Sequence, residues 1–292
     1  MKSIRKARTF DYVLLIILAS CLSSSFFLIK ISLNFMPLFF VVYFRLLIAL
    51  IFLLVLVKIK KLSFPRKKNF WINVFILGIL GNIAPFYLIS WAEQTISSAL
   101  AALYMSSIPI FGLLLAHFLS HDEKINIKKI LGLCISFSGL IVLLHKDLGS
   151  LSFGLFAQLA CLLAALFFSY SRVKAKELIE ENPLVTSAAT LLASLIILSF
   201  YLPFGDFKTS DFILGYEGII SIILLGIIPT AFAFVILYKL INNVGAVFML
   251  SVNYLVPIFG LFWGYALLDE KIADKLVLPL FLIIIGIFFA SK

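Results

Sequence analysis

The chain has 292 residues, of which 63% are hydrophobic and 13% charged, with 31 Phe and a net charge of +10. Soluble domains are roughly 45–50% apolar and about 25% charged, so this composition excludes disorder, a collagenous rod and a typical cytosolic enzyme. With a mean hydropathy of +1.16, the solvent that suits the chain is the bilayer.

A membrane-spanning helix needs about 20 mostly apolar residues, because each adds ~1.5 Å across a ~30 Å core. Ten such segments are predicted, at roughly 11–33, 38–57, 70–91, 97–119, 127–145, 151–172, 184–202, 214–238, 246–268 and 275–291. They leave no room for a separate soluble domain. Runs such as Leu14 to Leu18 and Val277 to Phe289 do not alternate, as the strands of a membrane β-barrel would. The expected fold is an all-α polytopic membrane protein with ten transmembrane helices. Lys2, Arg5, Lys6 and Arg8 precede the first segment as in a signal peptide, but the apolar stretch runs past Ser23-Ser24-Ser25 to Leu33 and reads as a structural helix. Cys21, Cys134 and Cys161 fall inside predicted helices and read as small apolar fillers, offering neither a disulfide framework nor a zinc spacing.

Lys and Arg in the loops set orientation. The amino-terminal tail carries four, the loop after segment 2 six, the loops after segments 4 and 6 three each, and Lys239 and Lys292 bring that side to eighteen. The other side has five: Lys30, Lys146, Lys208, Lys271 and Lys275. Both termini are therefore expected in the cytoplasm of a multi-pass protein of the cell (inner) membrane. The positive charge is a topology signal facing lipid phosphates, and no nucleic-acid partner is needed to explain it.

Pro109-Ile110-Phe111-Gly112-Leu113 recurs 148 positions later as Pro257-Ile258-Phe259-Gly260-Leu261. Thirteen residues beyond the first proline stands Asp122-Glu123-Lys124-Ile125, and twelve beyond the second stands Asp269-Glu270-Lys271-Ile272. Pro85 in segment 3 has a looser counterpart in Pro229 of segment 8. This divides the chain at 1–146 and 147–292. Each half holds five helices, an odd number, so the second repeat is inverted in the membrane. Inverted repeats build secondary-transporter sites at the bilayer midplane that open to either face.

In these paired blocks the chain resembles the drug/metabolite transporter superfamily, specifically its EamA-type members, over nearly its whole length. The resemblance also rests on Ser23-Ser24-Ser25-Phe26 leading to Lys30, on Arg45, and on Trp91-Ala92-Glu93-Gln94 through Ser98-Ala99-Leu100. Segment 1 departs from the pattern, lacking the tryptophan and glycine often seen before the serine. The resemblance implies a ten-helix carrier or exporter of amino acids, related metabolites or drugs, with a site among helices 1, 3, 4, 6, 8 and 9.

Polar groups at membrane depth need a reason. Lys30, Arg45 and Glu93 are placed in the outer third of segments 1 to 3, and two readings stand. Either Glu93 pairs with Arg45 or Lys30 near the external mouth and guides charged substrates, or the lysine snorkels and Arg45 is held by backbone carbonyls. The prolines near the middle of segments 4 and 9 expose carbonyls around residues 105 and 253. Tyr104, Ser107, Asn253 and Tyr254 flank those breaks and are candidates for the substrate cavity, with interhelical hydrogen bonding as their bland alternative. Trp91, Gln158 and Ser169-Tyr170 are weaker candidates, and Thr230 beside Pro229 can equally bond its own helix. His117 and His121 are four apart with Asp122 and Glu123 near, yet no third distant ligand is indicated, so no metal is expected. Gly260-x-x-x-Gly264 favours internal packing over dimerisation.

No Gly-Lys pair exists for a P-loop, and neither a zincin helix nor a glycine-bracketed serine is present. The expectation is a secondary transporter, not an enzyme, without cofactor, moving a small polar metabolite by alternating access, with efflux favoured over uptake. A coupling proton and a monomeric or homodimeric state both stay open. The competing readings are uptake of a nucleotide-like or cofactor-like solute and a membrane enzyme acting on a lipid-linked substrate.

Overall fold

The computed structural model describes residues 5–119, 131–132, 134–135, 138–139, 141–142, 153–205, 208, 212–213, 215–245, 248–249, 251–270, 278–279, 281–282 and 285–286. Among these residues there are helices and no strands. Helix α1 spans Thr9–Leu33 and α2 Leu38–Ile59, while α3 runs over Lys68–Glu93. Helix α4 comprises Ser98–Tyr104 and Ile108–Leu119, joined by a 3-10 turn at Met105–Ser107. Helices α5 (Phe153–Leu178), α6 (Pro183–Phe204) and α7 (Tyr216–Val244) follow, then α8 at Val256–Leu268 after a 3-10 turn at Ser251–Tyr254.

Among the described residues, the helices α1 to α7 are the seven long and apolar enough to cross a membrane, and α8 is a shorter apolar helix. The predicted segments 127–145 and 275–291 lie largely outside the described residues, though their described positions are helical. The helix of segment 6 runs six residues past its predicted end. The apolar face continues through Val173, Ala175 and Leu178, all buried, so α5 carries Arg172 and Lys174 inside the helix instead of in a loop.

Short loops make successive helices antiparallel, and two sets of contacts identify the ends of the bundle. Arg5 N donates to the Asn243 carbonyl (3.1 Å), and Lys67 Nζ lies 3.9 Å from Glu181 Oε1. These contacts gather the amino-terminal tail, the α2–α3 loop, the α5–α6 connection and the end of α7. At the opposite end, Ile213 N donates to the Phe35 carbonyl (2.8 Å) and Ser98 N to Glu270 Oε1 (2.9 Å).

Helix α1 packs against α8 and α7, α5 against α3 and α4, and α2 against α6. Every one of these interfaces joins a helix before residue 146 to one after it. Small residues allow the close approach. Gly78 faces Ser194, where an added Cβ would sit 3.1 Å from Oγ, and Gly260 faces Ala102, where it would sit 2.4 Å from that Cβ. Gly260 and Gly264 thus pack inside the bundle against α4. Outward-facing Ile51 and Val55 of α2 and Ile219 and Ile223 of α7 are exposed, as suits a lipid-facing wall. Cys161 is buried and Cys21 half-buried, but Cys134 is exposed, so it fills no core.

Candidate functional site

Four irregular turns interrupt the helices at depth. Helices α3 and α7 each contain a π turn, at Ile79–Ile83 and Ile227–Phe232, and 3-10 turns lie at Met105–Ser107 and Ser251–Tyr254. The two π turns begin 148 residues apart, the same offset that separates Pro109 from Pro257. A proline has no N–H for the carbonyl four residues back, so the turn there must widen or tighten. Pro85, Pro109 and Pro257 each stand second in the helical stretch that restarts after a turn, where a missing N–H leaves no intrahelical bond unmade. Pro229 lies inside its π turn, and the Leu225 carbonyl it leaves bare accepts a bond from the Thr230 hydroxyl at 2.7 Å.

Around these turns lies a partly open cavity. Its walls come from α1 (Ser25, Phe26), α2 (Arg45), α3 (Gly81, Asn82, Phe86), α5 (Phe168, Ser171, Arg172), α7 (Pro229, Phe234, Tyr238) and the 3-10 turn at Asn253. Gly81 keeps α3 close to α5, since a Cβ there would sit 2.3 Å from Ser171 Oγ. Asn82 is tied to α6 through a bond from Nδ2 to Ser194 Oγ at 2.9 Å.

Arg45 is 1% exposed. Its Nη2 donates to Ser25 Oγ and Thr230 Oγ1, both at 3.1 Å, and its Nε lies 3.3 Å from Thr230 Oγ1. The guanidinium carbon stands 3.7 Å over the Phe86 ring, while Nη1 is buried without a hydrogen-bond partner. Arg172, 6% exposed, donates from Nη1 to Asn253 Oδ1 at 3.3 Å and lies 5.2 Å from the Phe168 ring centre. Neither arginine has a carboxylate partner among the described residues, and the cavity lining contains no acid.

The sequence-predicted residues divide accordingly. Asn253, Arg45 and Pro229 line the cavity, and Thr230 bonds its own helix while also holding Arg45. Tyr104 and Gln158 do not line it; the Tyr104 hydroxyl donates to Gln158 Oε1 at 2.6 Å, tying α4 to α5. Ser107 donates to the Tyr104 carbonyl (2.7 Å) and Ser169 to the Ile108 carbonyl (2.8 Å), so both serve the broken backbone. Trp91 is half-buried away from the cavity, as Pro85, Pro109 and Pro257 are from its lining. The side chain of Tyr254 lies outside the described residues, as do His121, Asp122 and Glu123, and His117 is exposed.

Of the two readings of Lys30, Arg45 and Glu93, the one that pairs Glu93 with a cation is not seen, as no ion pair joins them among the described residues. Lys30 Nζ donates to the backbone carbonyls of Glu93 and Ile96, the latter at 3.0 Å, and so caps the carboxy-terminal end of α3. The Glu93 carboxylate is fully buried, and neither of its oxygens has a hydrogen-bond partner. Arg45 is held by hydroxyls, not by carbonyls.

Sequence reasoning missed Arg172, Asn82, Phe86 and Tyr238. Asn82 carried a usable signal, an amide at the centre of an apolar segment between Gly81 and Pro85. Arg172 was hidden by its position near a helix end, where a cation ordinarily reports topology.

The profile of the EamA-like transporter family matches residues 9–145 and again 155–292. Among curated proteins, the uncharacterized transporter YoaV of Bacillus subtilis (strain 168) is 26% identical over 241 residues, which cover 82% of this chain and 81% of that protein. An uncharacterized transporter of Archaeoglobus fulgidus is 28% identical over 225 residues, covering 75% of this chain and 77% of its own. A solved crystal structure shares the fold at a TM-score of 0.69 and 20% identity, with 97% of each chain covered.

Proposed function

The chain belongs to the EamA-like transporter family of membrane transporters, and from that premise we propose that it is a secondary carrier moving small polar metabolites, amino acids or related compounds, out of the cell by alternating access. The observation that carries this reading is the cavity, whose walls come from helices of both halves and whose edges are the broken turns of α3, α4, α7 and the stretch before α8. Broken helices at membrane depth are tolerated where protein or water satisfies the freed backbone. In carriers built from inverted repeats they surround a central substrate site.

In this reading the chain crosses the membrane ten times as two inverted five-helix repeats, residues 1–146 and 147–292. The equal spacing of the π turns and of Pro109 and Pro257 supports it, as does the twofold match to the family profile. Both termini face the cytoplasm of the inner membrane, the side of the cationic loops. Rocking of one repeat against the other would slide the cross-half interfaces of α1, α2 and α5 and expose the cavity to each face in turn.

The test is counterflow in proteoliposomes loaded with a pooled mixture of amino acids and small metabolites. Exchange of one compound, lost on Asn253→Ala in correctly inserted protein, supports the carrier. An absence of exchange from folded, oriented protein sinks it.

A further inference from the structure

The electrostatics of the cavity go beyond the polar-metabolite reading, on which their biological meaning rests. Two guanidiniums line one space, and the lining holds no carboxylate; Glu93, the buried acid two turns beyond Phe86 on α3, makes no hydrogen bond or ion pair with either. Burying a charge without a directly paired partner is costly, and it persists where something else supplies the missing contact. Arg45 shows what is missing. The hydroxyls of Ser25 and Thr230 occupy Nη2 and Nε and fix the guanidinium plane, while Phe86 covers one face. Nη1 stays buried and unpartnered. On Arg172, Nη1 donates to Asn253.

The same features act against cations. An ammonium entering this space would meet two positive charges and no acid. Two of the lining aromatic faces, Phe86 and Phe168, are already occupied by Arg45 and Arg172. The remaining wall combines apolar Phe26, Ile29, Phe234 and Leu237 with the uncharged polar groups of Asn82, Ser171 and Tyr238.

The geometry points to a soluble organic anion as the ligand: a carboxylate or other oxyanion head that accepts from the free Arg45 donor and is attracted by Arg172, with an apolar body against the phenylalanines. A planar guanidinium is suited to such a head because it presents parallel N–H donors. The zwitterionic amino acids of the broader reading are disfavoured unless their net charge is negative.

The test uses the full chain purified in detergent and an isosteric probe series: 3-phenylpropionate, its neutral amide, and the cationic amine 3-phenylpropylamine. Thermal unfolding reads binding directly and does not require transport, so its outcome is separate from that of the counterflow experiment. The carboxylate should raise Tm in a concentration-dependent way, and the amide and amine should not. Arg45→Gln and Arg172→Gln should each weaken the carboxylate effect about tenfold or more, the loss of one charge-assisted bond. Arg45→Lys should keep part of it. Two variants are used so that misfolding of one leaves the other informative. Equal stabilisation by the amide, stronger stabilisation by the amine, no shift from any probe, or unchanged carboxylate binding in both glutamine variants would each overturn the proposal. So would an Arg45-dependent shift with phosphatidylglycerol but none with 3-phenylpropionate, which would assign the oxyanion to a lipid headgroup.

Discussion

The Thr230 hydroxyl links a broken helix to a buried charge. It donates to the Leu225 carbonyl at 2.7 Å and accepts from Arg45 Nη2 at 3.1 Å. The proline beside it is the cause, because Pro229 cannot serve the carbonyl four residues back. Thr230→Val keeps the shape of the side chain and removes both bonds. Leaving buried donors and acceptors unmatched costs about 1–3 kcal/mol, so the valine variant should melt several degrees lower, while Thr230→Ser should stay near wild type. Calorimetry of the purified protein checks both.

Glu270 closes the amino-terminal end of α4 from a distance in sequence. Its two carboxylate oxygens accept from Ser98 N at 2.9 Å and Ala99 N at 3.0 Å. A carboxylate on the free N–H groups of a helix start also opposes the helix dipole. Glu270→Ala should cost about 1 kcal/mol, with Glu270→Gln between the two, measured by thermal unfolding in detergent. An unchanged melting point in the alanine variant would remove Glu270 from this role.

Tyr104 and Gln158 bind each other and do not line the cavity. Interhelical bonds of this kind average about 0.6 kcal/mol in membrane proteins. Tyr104→Phe should therefore lower stability by about that amount and leave counterflow rates within about twofold of wild type. A loss of exchange with unchanged stability would put Tyr104 on the transport route.

Gly260 meets Ala102 so closely that an added Cβ would lie 2.4 Å from its neighbour. Neither partner has a flexible end to move aside, so the helices must separate. Gly260→Val should cost about 1–3 kcal/mol, as overpacking does in a well-filled interior. Gly260→Ala should cost less, and combining it with Ala102→Gly should recover most of the alanine variant's loss, so the double variant's melting curve tests the contact directly.

The Glu93 carboxylate is buried with both oxygens unpartnered. Replacing an unsatisfied buried polar group with an apolar one of similar length is neutral to stabilising. Glu93→Met should accordingly raise stability, by about 1–3 kcal/mol if both oxygens' desolvation is relieved. A stabilised variant with slowed counterflow would show that the carboxylate is kept for transport, whereas equal stability and equal flux would make it a passive core group.

The helices and their breaks were legible because their causes are local. Apolar length marks α1 to α7, and the four prolines mark the interrupted turns, since a missing N–H acts within a few residues. Arg172 was illegible for a corresponding reason. Its neighbours in sequence are Lys174 and Lys176, and only the continuation of α5 to Leu178 turns it inward to Asn253. For Lys30 and Glu93, hydrogen-bond geometry decided that the lysine serves the Glu93 carbonyl while the carboxylate stays bare.

The sequence by itself determined that this chain lives in a bilayer, that its cations crowd one set of loops, and that its two halves share a proline-centred pattern. These properties are sums over composition or repeats of short motifs, and no packing can reverse them. Which polar side chains share a space was decided only by the tertiary structure. Ser25, Arg45, Asn82, Arg172, Thr230 and Asn253 come from six different stretches of chain, and the way each helix is turned decides between a cavity wall and an interhelical bond. Tyr104 and Arg45 were equally plausible as residues in a list. The fold assigned the tyrosine to a glutamine and left a donor of the arginine without one.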